Sequence, residues 1–348
     1  MINTAIKAAI EAGEAILEIY AQDFEVEFKA DESPLTAADK AAHNIIVRAL
    51  ETTPYPVLSE ESAEITYDER KDWKTFWLVD PLDGTKEFIK KNDEFTVNIA
   101  LIEDGVPVMG VVYAPVLQTL YCGTLVSDVE SGKWNVGSGK AAWKATDCSG
   151  KSLDEIVESA VSLPLTSIPL STSNFSHSTK QHTLRVVASR SHCNEETREF
   201  IAALEAEYGD VELVSSGSSL KLCMVAEGSA DIYPRIAPTM EWDTAAAHAV
   251  VAAAGGQVVK YEPAVPAKAY LCGKSDVGSG TSDVGSGRSD VGSGKSPPTS
   301  HIPLSTKESP PPTSHIPPPT TKREAPFPLR YNKQNLLNPY FVVSALRE

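Results

Sequence analysis

The chain has 348 residues, 42% hydrophobic and 22% charged, so it is too long for one small module and too apolar for a disordered or fibrous protein. Its 31 Lys and Arg against 47 Asp and Glu leave a net charge of −16, which argues against nucleic acid or anionic lipid as a partner. No apolar run approaches the ~18 residues of a membrane span, and Lys7, Glu11, Glu14 and Glu18 stand where a secretory leader needs an uncharged stretch, so a cytoplasmic protein without integral membrane association is expected.

Ile2, Ile6, Ile10 and Leu17 share one face at helical spacing, with Lys and Glu opposite, so the chain opens with an amphipathic helix. A second helix is expected over residues 36–49, entered through Ser33-Pro34, with Asp39 in its first turns and Pro54 and Pro56 beyond its end. Val57-Leu58 begins a short strand. The β-prone run Thr75-Phe76-Trp77-Leu78-Val79 predicts a strand buried on both faces, ending at Asp80-Pro81. Residues 95–102 alternate Phe95, Val97, Ile99 and Leu101 against Thr96, Asn98 and Ala100, and Asp104-Gly105 joins them to residues 106–113 as a hairpin. Strands follow at 184–188, 211–214 and 257–260, between helical patterns at 195–208, 218–226 and 243–254. Strands grouped early and helices alternating later imply an α+β sandwich. Five widely spaced cysteines without a C-x-x-C pair indicate reduced, structural thiols rather than a disulfide framework or a zinc site.

Residues 273–328 obey different rules. Ser-Asp-Val-Gly-Ser-Gly recurs at 275–280, 282–287 and 289–294, and Pro-Pro-Thr-Ser-His-Ile-Pro occurs at 297–303 and 311–317. This segment reads as a low-complexity, extended insert that supplies no core. It holds six Lys or Arg and five acids, so the negative charge belongs to the remainder of the chain. Its alternative reading is a docking segment for a proline-recognising module, of which the sequence names no partner. Related wording at 127–132 and 167–172 reads as two inserted surface loops.

The chemistry concentrates in Ser59-Glu60-Glu61, Asp80-Pro81-Leu82-Asp83-Gly84-Thr85 and Trp242-Asp243-Thr244. Asp80 and Asp83 flank a turn at the end of a buried strand, where side chains face a cleft, and Pro81 restrains the backbone between them. Carboxylates without His or Cys are the ligand set of a hard divalent cation such as Mg²⁺. Asp83-Gly84-Thr85 also opens a helix whose free N–H groups suit a phosphate. Two cations and such a terminus around one anion describe metal-dependent phosphoryl hydrolysis. Singly, each element has a plainer reading: Asp-Pro-x-Asp-Gly as a turn, Glu60-Glu61 as a solvated face, Asp243 as an N-cap and Asp39 as a first-turn acid.

In combination these blocks resemble the magnesium-dependent, lithium-sensitive phosphatase superfamily that includes inositol monophosphatase and fructose 1,6-bisphosphatase. Lys86-Glu87-Phe88-Ile89 followed by residues 95–102 is similar to its 3'(2'),5'-bisphosphate nucleotidases of the CysQ type. The resemblance covers residues 1–272 and resumes through Tyr331-Asn332-Lys333 to Phe341, which looks like the family's final strand. It implies a layered α-β-α-β-α sandwich over 1–272 and 329–348, with halves at about 1–160 and about 180–272 plus 329–348.

Carried over, the resemblance implies two or three Mg²⁺ held by Glu60, Asp80, Asp83 and Asp243 and the Leu82 carbonyl. Asp39 and Thr85 would assist the attacking water, and the Gly84 and Thr85 N–H groups would face the scissile phosphate. His192, Ser218, Lys221 and Arg235 would hold the nucleotide, in keeping with a second phosphate that is bound but not cleaved. The expected reaction is conversion of adenosine 3',5'-bisphosphate to AMP and phosphate. The alternatives are an inositol or sugar phosphatase, and an inactive nucleotide-binding scaffold that uses the Pro-rich insert.

Overall fold

The structure, a computed structural model, describes residues 1–22, 26–28, 34–62, 64–128, 133–135, 142–164, 183–188, 194–271 and 328–345. The chain divides into two units, Met1–Gly273 with Pro326–Glu348 and Lys274–Ala325, and every described residue belongs to the first.

Helix α1, Ile2–Tyr20, buries Ala5, Ile6, Ala9, Ala12 and Ile16 along one stripe; of the face the spacing predicts, Ile6 is buried while Ile2, Ile10 and Leu17 are half-buried, because the small alanines let the helix pack closest along their own line. A short antiparallel pair, β1 (Val26–Phe28) and β2 (Pro34–Thr36), leads into α2, Ala37–Leu50. Thr36 caps that helix reciprocally with Asp39, so it begins one residue later than the pattern suggested. Next come β3 (Val57–Ser59), a 3-10 turn at Glu60–Ser62, α3 (Tyr67–Arg70), β4 (Thr75–Asp83) and α4 (Thr85–Ile89). The hairpin β5 (Thr96–Glu103) and β6 (Val106–Ala114) turns on Asp104 and Gly105, both at positive φ, the backbone a two-residue primed turn demands.

The remaining elements of this half are β7 (Thr119–Thr124), the hairpin β8 (Val126–Asp128) and β9 (Lys133–Asn135), β10 (Ala142–Ala145), α5 (Leu153–Ser159) and β11 (Val161–Ser162). Ser127 and Asp128 therefore lie in a paired strand rather than a loop, whereas 129–132 and 167–172 fall outside the described residues. Seven strands form one sheet in the order β11-β10-β7-β6-β5-β4-β3, with β3 and β4 parallel.

The second half supplies β12 (Leu184–Val187), α6 (Glu195–Tyr208), β13 (Val211–Val214), α7 (Leu220–Glu227), β14 (Ile232–Arg235), α8 (Trp242–Ala253), β15 (Gln257–Lys260) and β16 (Phe341–Ser344). Five of these are strands, ordered β13-β12-β14-β16-β15. The final strand is shorter than expected. Residues 331–340 are not strand, and only Phe341–Ser344 enters the sheet, between two strands that precede the insert.

Three apolar clusters define the layers. Trp77, Val79, Val97, Ile99 and Leu101 on one face of the large sheet meet α1 and α2. Phe76, Leu78, Ala100 and Ile102 on the other face meet α7, α8 and the inner face of the small sheet. Val186, Ile232 and Val342, on the outer face of that sheet, pack with Phe200, Leu204 and Tyr270. The order is helix, sheet, helix, sheet, helix, the expected α-β-α-β-α sandwich. Helix α8 is buried all round, which its Ala-rich sequence allows, and β6 and β7 approach its backbone closely. A Cβ on Gly110 would run into the Ala246 carbonyl, and one on Gly123 would sit 2.5 Å from Val250 Cα.

Candidate active site

Strand β4 ends in a bulge between Asp80 and Asp83, which turns both side chains toward the start of α8. Asp80, Asp83 and Asp243 place carboxylate oxygens within 4.8 Å of one another. Burial raises all three above the ordinary carboxylate range. The Glu60 charge pushes Asp80 and Asp243 further up, and Asp83 likewise acts on both. Glu60 thus neighbours the cluster from the 3-10 turn after β3, although the convergent trio is Asp80, Asp83 and Asp243. Such mutual repulsion among oxygen donors, with no imidazole or thiolate in the trio, fits a hard divalent cation such as Mg²⁺.

Each acid is held by its neighbours. Asp80 Oδ1 accepts from the Leu82 N–H at 3.1 Å, and Asp243 Oδ2 accepts from the Met240 N–H at 3.0 Å. Asp243 lies in the first turn of α8 and does not cap it, since Glu241 occupies the N-cap position. Asp83 Oδ2 accepts from Ser219 Oγ at 2.8 Å and from Asn98 Nδ2 at 3.3 Å. Asn98 Nδ2 also lies 2.8 Å from Ser219 Oγ, so the large sheet and the N-cap of α7 meet in one polar knot.

Asp39 combines two tasks. Its Oδ2 accepts from the Thr36 N–H and hydroxyl, completing the cap of α2, while Oδ1 lies 3.4 Å from Thr85 Oγ1. Thr85 Oγ1 is also 3.3 Å from the Leu82 carbonyl, so Asp39, Leu82 and Thr85 lie together. Gly84 precedes α4 with φ at 94°, a conformation that suits glycine.

Residues 1–288 match the sequence profile of the inositol monophosphatase family. The chain belongs to that family. It is 44% identical to the 3'(2'),5'-bisphosphate nucleotidase CysQ of Escherichia coli over 262 residues, 74% of this chain and 89% of that one. It aligns with the crystal structure of CysQ from Bacteroides thetaiotaomicron, a bacterial member of the inositol monophosphatase family, at TM-score 0.65 and 41% identity, covering 99% of this chain and 97% of that one. The extragenic suppressor protein suhB from Bartonella henselae, at TM-score 0.53 and 24% identity over 74% of this chain and 86% of that one, shares the fold. The chain is thus a phosphatase-family hydrolase.

Beside the acids opens a cleft of about 140 Å³. Asp83, Gly84 and Asp243 line it together with Ser218, Lys221 and Arg235. Burial brings the Lys221 ammonium down to about 8; Asp83 opposes this shift and Arg235 adds to it. Arg235 donates from Nε to Thr239 Oγ1 and from a terminal nitrogen to the Pro238 carbonyl. Ser218 stands at positive φ, and its hydroxyl accepts from Thr96 Oγ1 at 3.3 Å. His192 lies outside the described residues.

Sequence reasoning missed Ser219, Asn98, Thr96 and Thr239. Thr96 and Asn98 stand on the strand face opposite Phe95, Val97, Ile99 and Leu101, and that face is buried too. Two polar residues followed by Ala100 and Ile102 on one face was the available signal. Thr239 carries no local signal, because its task depends on Arg235 lying across the turn.

Proposed function

We propose that the protein hydrolyses the 3'-phosphate of adenosine 3',5'-bisphosphate, giving AMP and phosphate, with Mg²⁺ required and Li⁺ inhibitory. One observation carries the reading: Asp83 and Asp243, two of the three convergent acids, share a cleft with Lys221 and Arg235, which suits a substrate bearing one phosphate to cleave and another to hold. The relatives named 3'(2'),5'-bisphosphate nucleotidase support it.

In this reading Asp80, Asp83, Asp243 and Glu60, with the Leu82 carbonyl, hold two or three Mg²⁺. When bound, such ions stabilise charge on the attacking and leaving oxygens of phosphoryl transfer. Thr85 Oγ1 would take a proton from the attacking water as its own hydroxyl proton passes to Asp39 Oδ1, 3.4 Å away, so that the threonine stays neutral, Asp39 becomes protonated and the hydroxide so formed attacks phosphorus. Asp39 remains anchored through Oδ2 by the cap of α2, which fixes the direction from which the water is activated. The Gly84 and Thr85 N–H groups face the scissile phosphate. Lys221 and Arg235, with Ser218 and His192, hold the phosphate and ribose that stay. Residues 273–328 are a passenger. No described helix is long and apolar enough to cross a membrane, and the proposed setting is the cytoplasm.

The test is phosphate release from adenosine 3',5'-bisphosphate beside inositol 1-phosphate and fructose 1,6-bisphosphate, with Mg²⁺, with chelator and with added Li⁺. The expected result is preference for the nucleotide, lost with chelator and reduced by Li⁺. Preference for a sugar phosphate would overturn the pocket assignment, and no release from any substrate would favour a binding protein.

A further inference from the structure

Residues 328–340 run from a bridge between Pro328 and Val259 to the corner that joins β14 to α8. That corner carries both chemistries of the cleft. At one end Thr239 Oγ1 accepts from Arg235, and at the other the Met240 N–H holds Asp243 Oδ2 at 3.0 Å.

Asn338 grips the two peptides between them. It is 3% exposed. Its backbone N–H donates to the Thr239 carbonyl at 2.8 Å, which is the opposite end of the planar peptide whose N–H holds Asp243. Its side-chain Nδ2 donates to the next carbonyl, Met240 O, at 2.9 Å, and to Thr244 Oγ1 at 2.8 Å. Oδ1 accepts from Lys333 Nζ at 3.1 Å, and because an ammonium only donates, the orientation of the amide is settled. On either side, Leu337 bridges Met240 and the Glu241 N–H donates to the Leu336 carbonyl at 2.9 Å.

We propose that Asn338 is a positioning residue that sets Asp243, on the cation side of the cleft, and Arg235, on the phosphate side, in register with each other. It touches neither substrate nor cation. The backbone N–H of Asn338 pins the carbonyl before the Met240 N–H, and its side-chain Nδ2 pins the Met240 carbonyl after it and the Thr244 hydroxyl next to Asp243, so the N–H direction is fixed from both sides and the Asp243 carboxylate keeps one orientation only while the side-chain grip is present. Pinning the following carbonyl stops the corner from rotating, which would carry Thr239, and with it Arg235, away from the acids. The Arg235 half of this inference rests on the nucleotidase reading, whereas the Asp243 half rests on the acid cluster alone.

The experiment compares the full-length parent with Asn338→Leu and with Asn338→Ser, the second in case the first folds poorly. Mn²⁺ alone is titrated by electron paramagnetic resonance, and KM and kcat for adenosine 3',5'-bisphosphate are measured at saturating Mg²⁺. Loss of the side-chain donor should weaken Mn²⁺ binding about three- to ten-fold and raise KM by a similar factor, with kcat changed less than about two-fold. A variant with a lower Tm but parental Mn²⁺ affinity would overturn the proposal, since a merely structural asparagine changes how much protein folds and not what the folded protein binds. Weakened Mn²⁺ binding beside an unchanged KM would overturn the Arg235 half. Should the parent fail to cleave the bisphosphate, the functional reading falls and the Mn²⁺ titration still decides the role of Asn338.

Discussion

His248 offers a test of how the segment after the insert is held. It lies in α8, 6% exposed, with Nδ1 2.9 Å from the Tyr331 hydroxyl. Burial lowers its pKa from 6.5 to about 3, and the Arg330 charge adds to the drop. Tyr331 is shifted upward by its own burial, so it stays a hydroxyl and can donate to the neutral ring. A base whose folded pKa is depressed contributes its full stability above the unfolded value and loses it as pH falls toward the folded one. The window runs from 6.5 down to about 3. Each unit within it costs about 1.4 kcal/mol, so acidifying from about pH 6.5 to about pH 5 should remove about 2 kcal/mol through this one residue.

Asp80, Asp83 and Asp243, shifted upward, titrate in the opposite sense, so only a difference between proteins isolates the histidine. His248→Gln keeps an acceptor for Tyr331 and does not titrate. Calorimetric melting of parent and variant, in chelator, at about pH 7.5, 6.5 and 5, should show the parent losing about 2 kcal/mol more than the variant across the acid step. Equal pH slopes for the two proteins would refute the reasoning.

Asp80→Asn keeps the acceptor for the Leu82 N–H but removes a charge from the cluster. Turnover should fall at least about a hundred-fold while the Tm in chelator is unchanged or higher; near-normal phosphate release would show the cation assignment to be wrong. Gly110→Ala forces a methyl against the Ala246 carbonyl of α8, and a loss of about 3 kcal/mol, read as a lower denaturation midpoint, is expected. Replacing either Lys221 or Arg235 by Ala should raise KM for the bisphosphate about ten- to a hundred-fold and change KM for a nucleoside monophosphate far less. Deletion of residues 274–326 should leave kcat largely intact, because β14 and β15 already frame the place of β16 and loop-closure cost changes slowly with length. Failure of that deletion to fold would end the passenger reading.

Local pattern was enough for most elements. The amphipathic stripe of α1, the Asp104-Gly105 hairpin and the bounds of α6 follow from spacing and turn chemistry that act over a few residues. The acids at the ends of β4 and at the start of α8 were legible for the same reason, since each sits in a short motif whose residue types suit one chemistry. Tertiary structure alone decided what those motifs meet. Asn98 became a partner of Asp83 and Ser219 because both faces of the large sheet are covered, which no single strand can announce. The extent of the final strand, the grip of Asn338 on the corner before α8, and the pairing of Arg235 with Thr239 depend on chain segments far apart in sequence. These contacts are set by the closing of two sheets around α8, and the energy that selects them exists only once that core has formed.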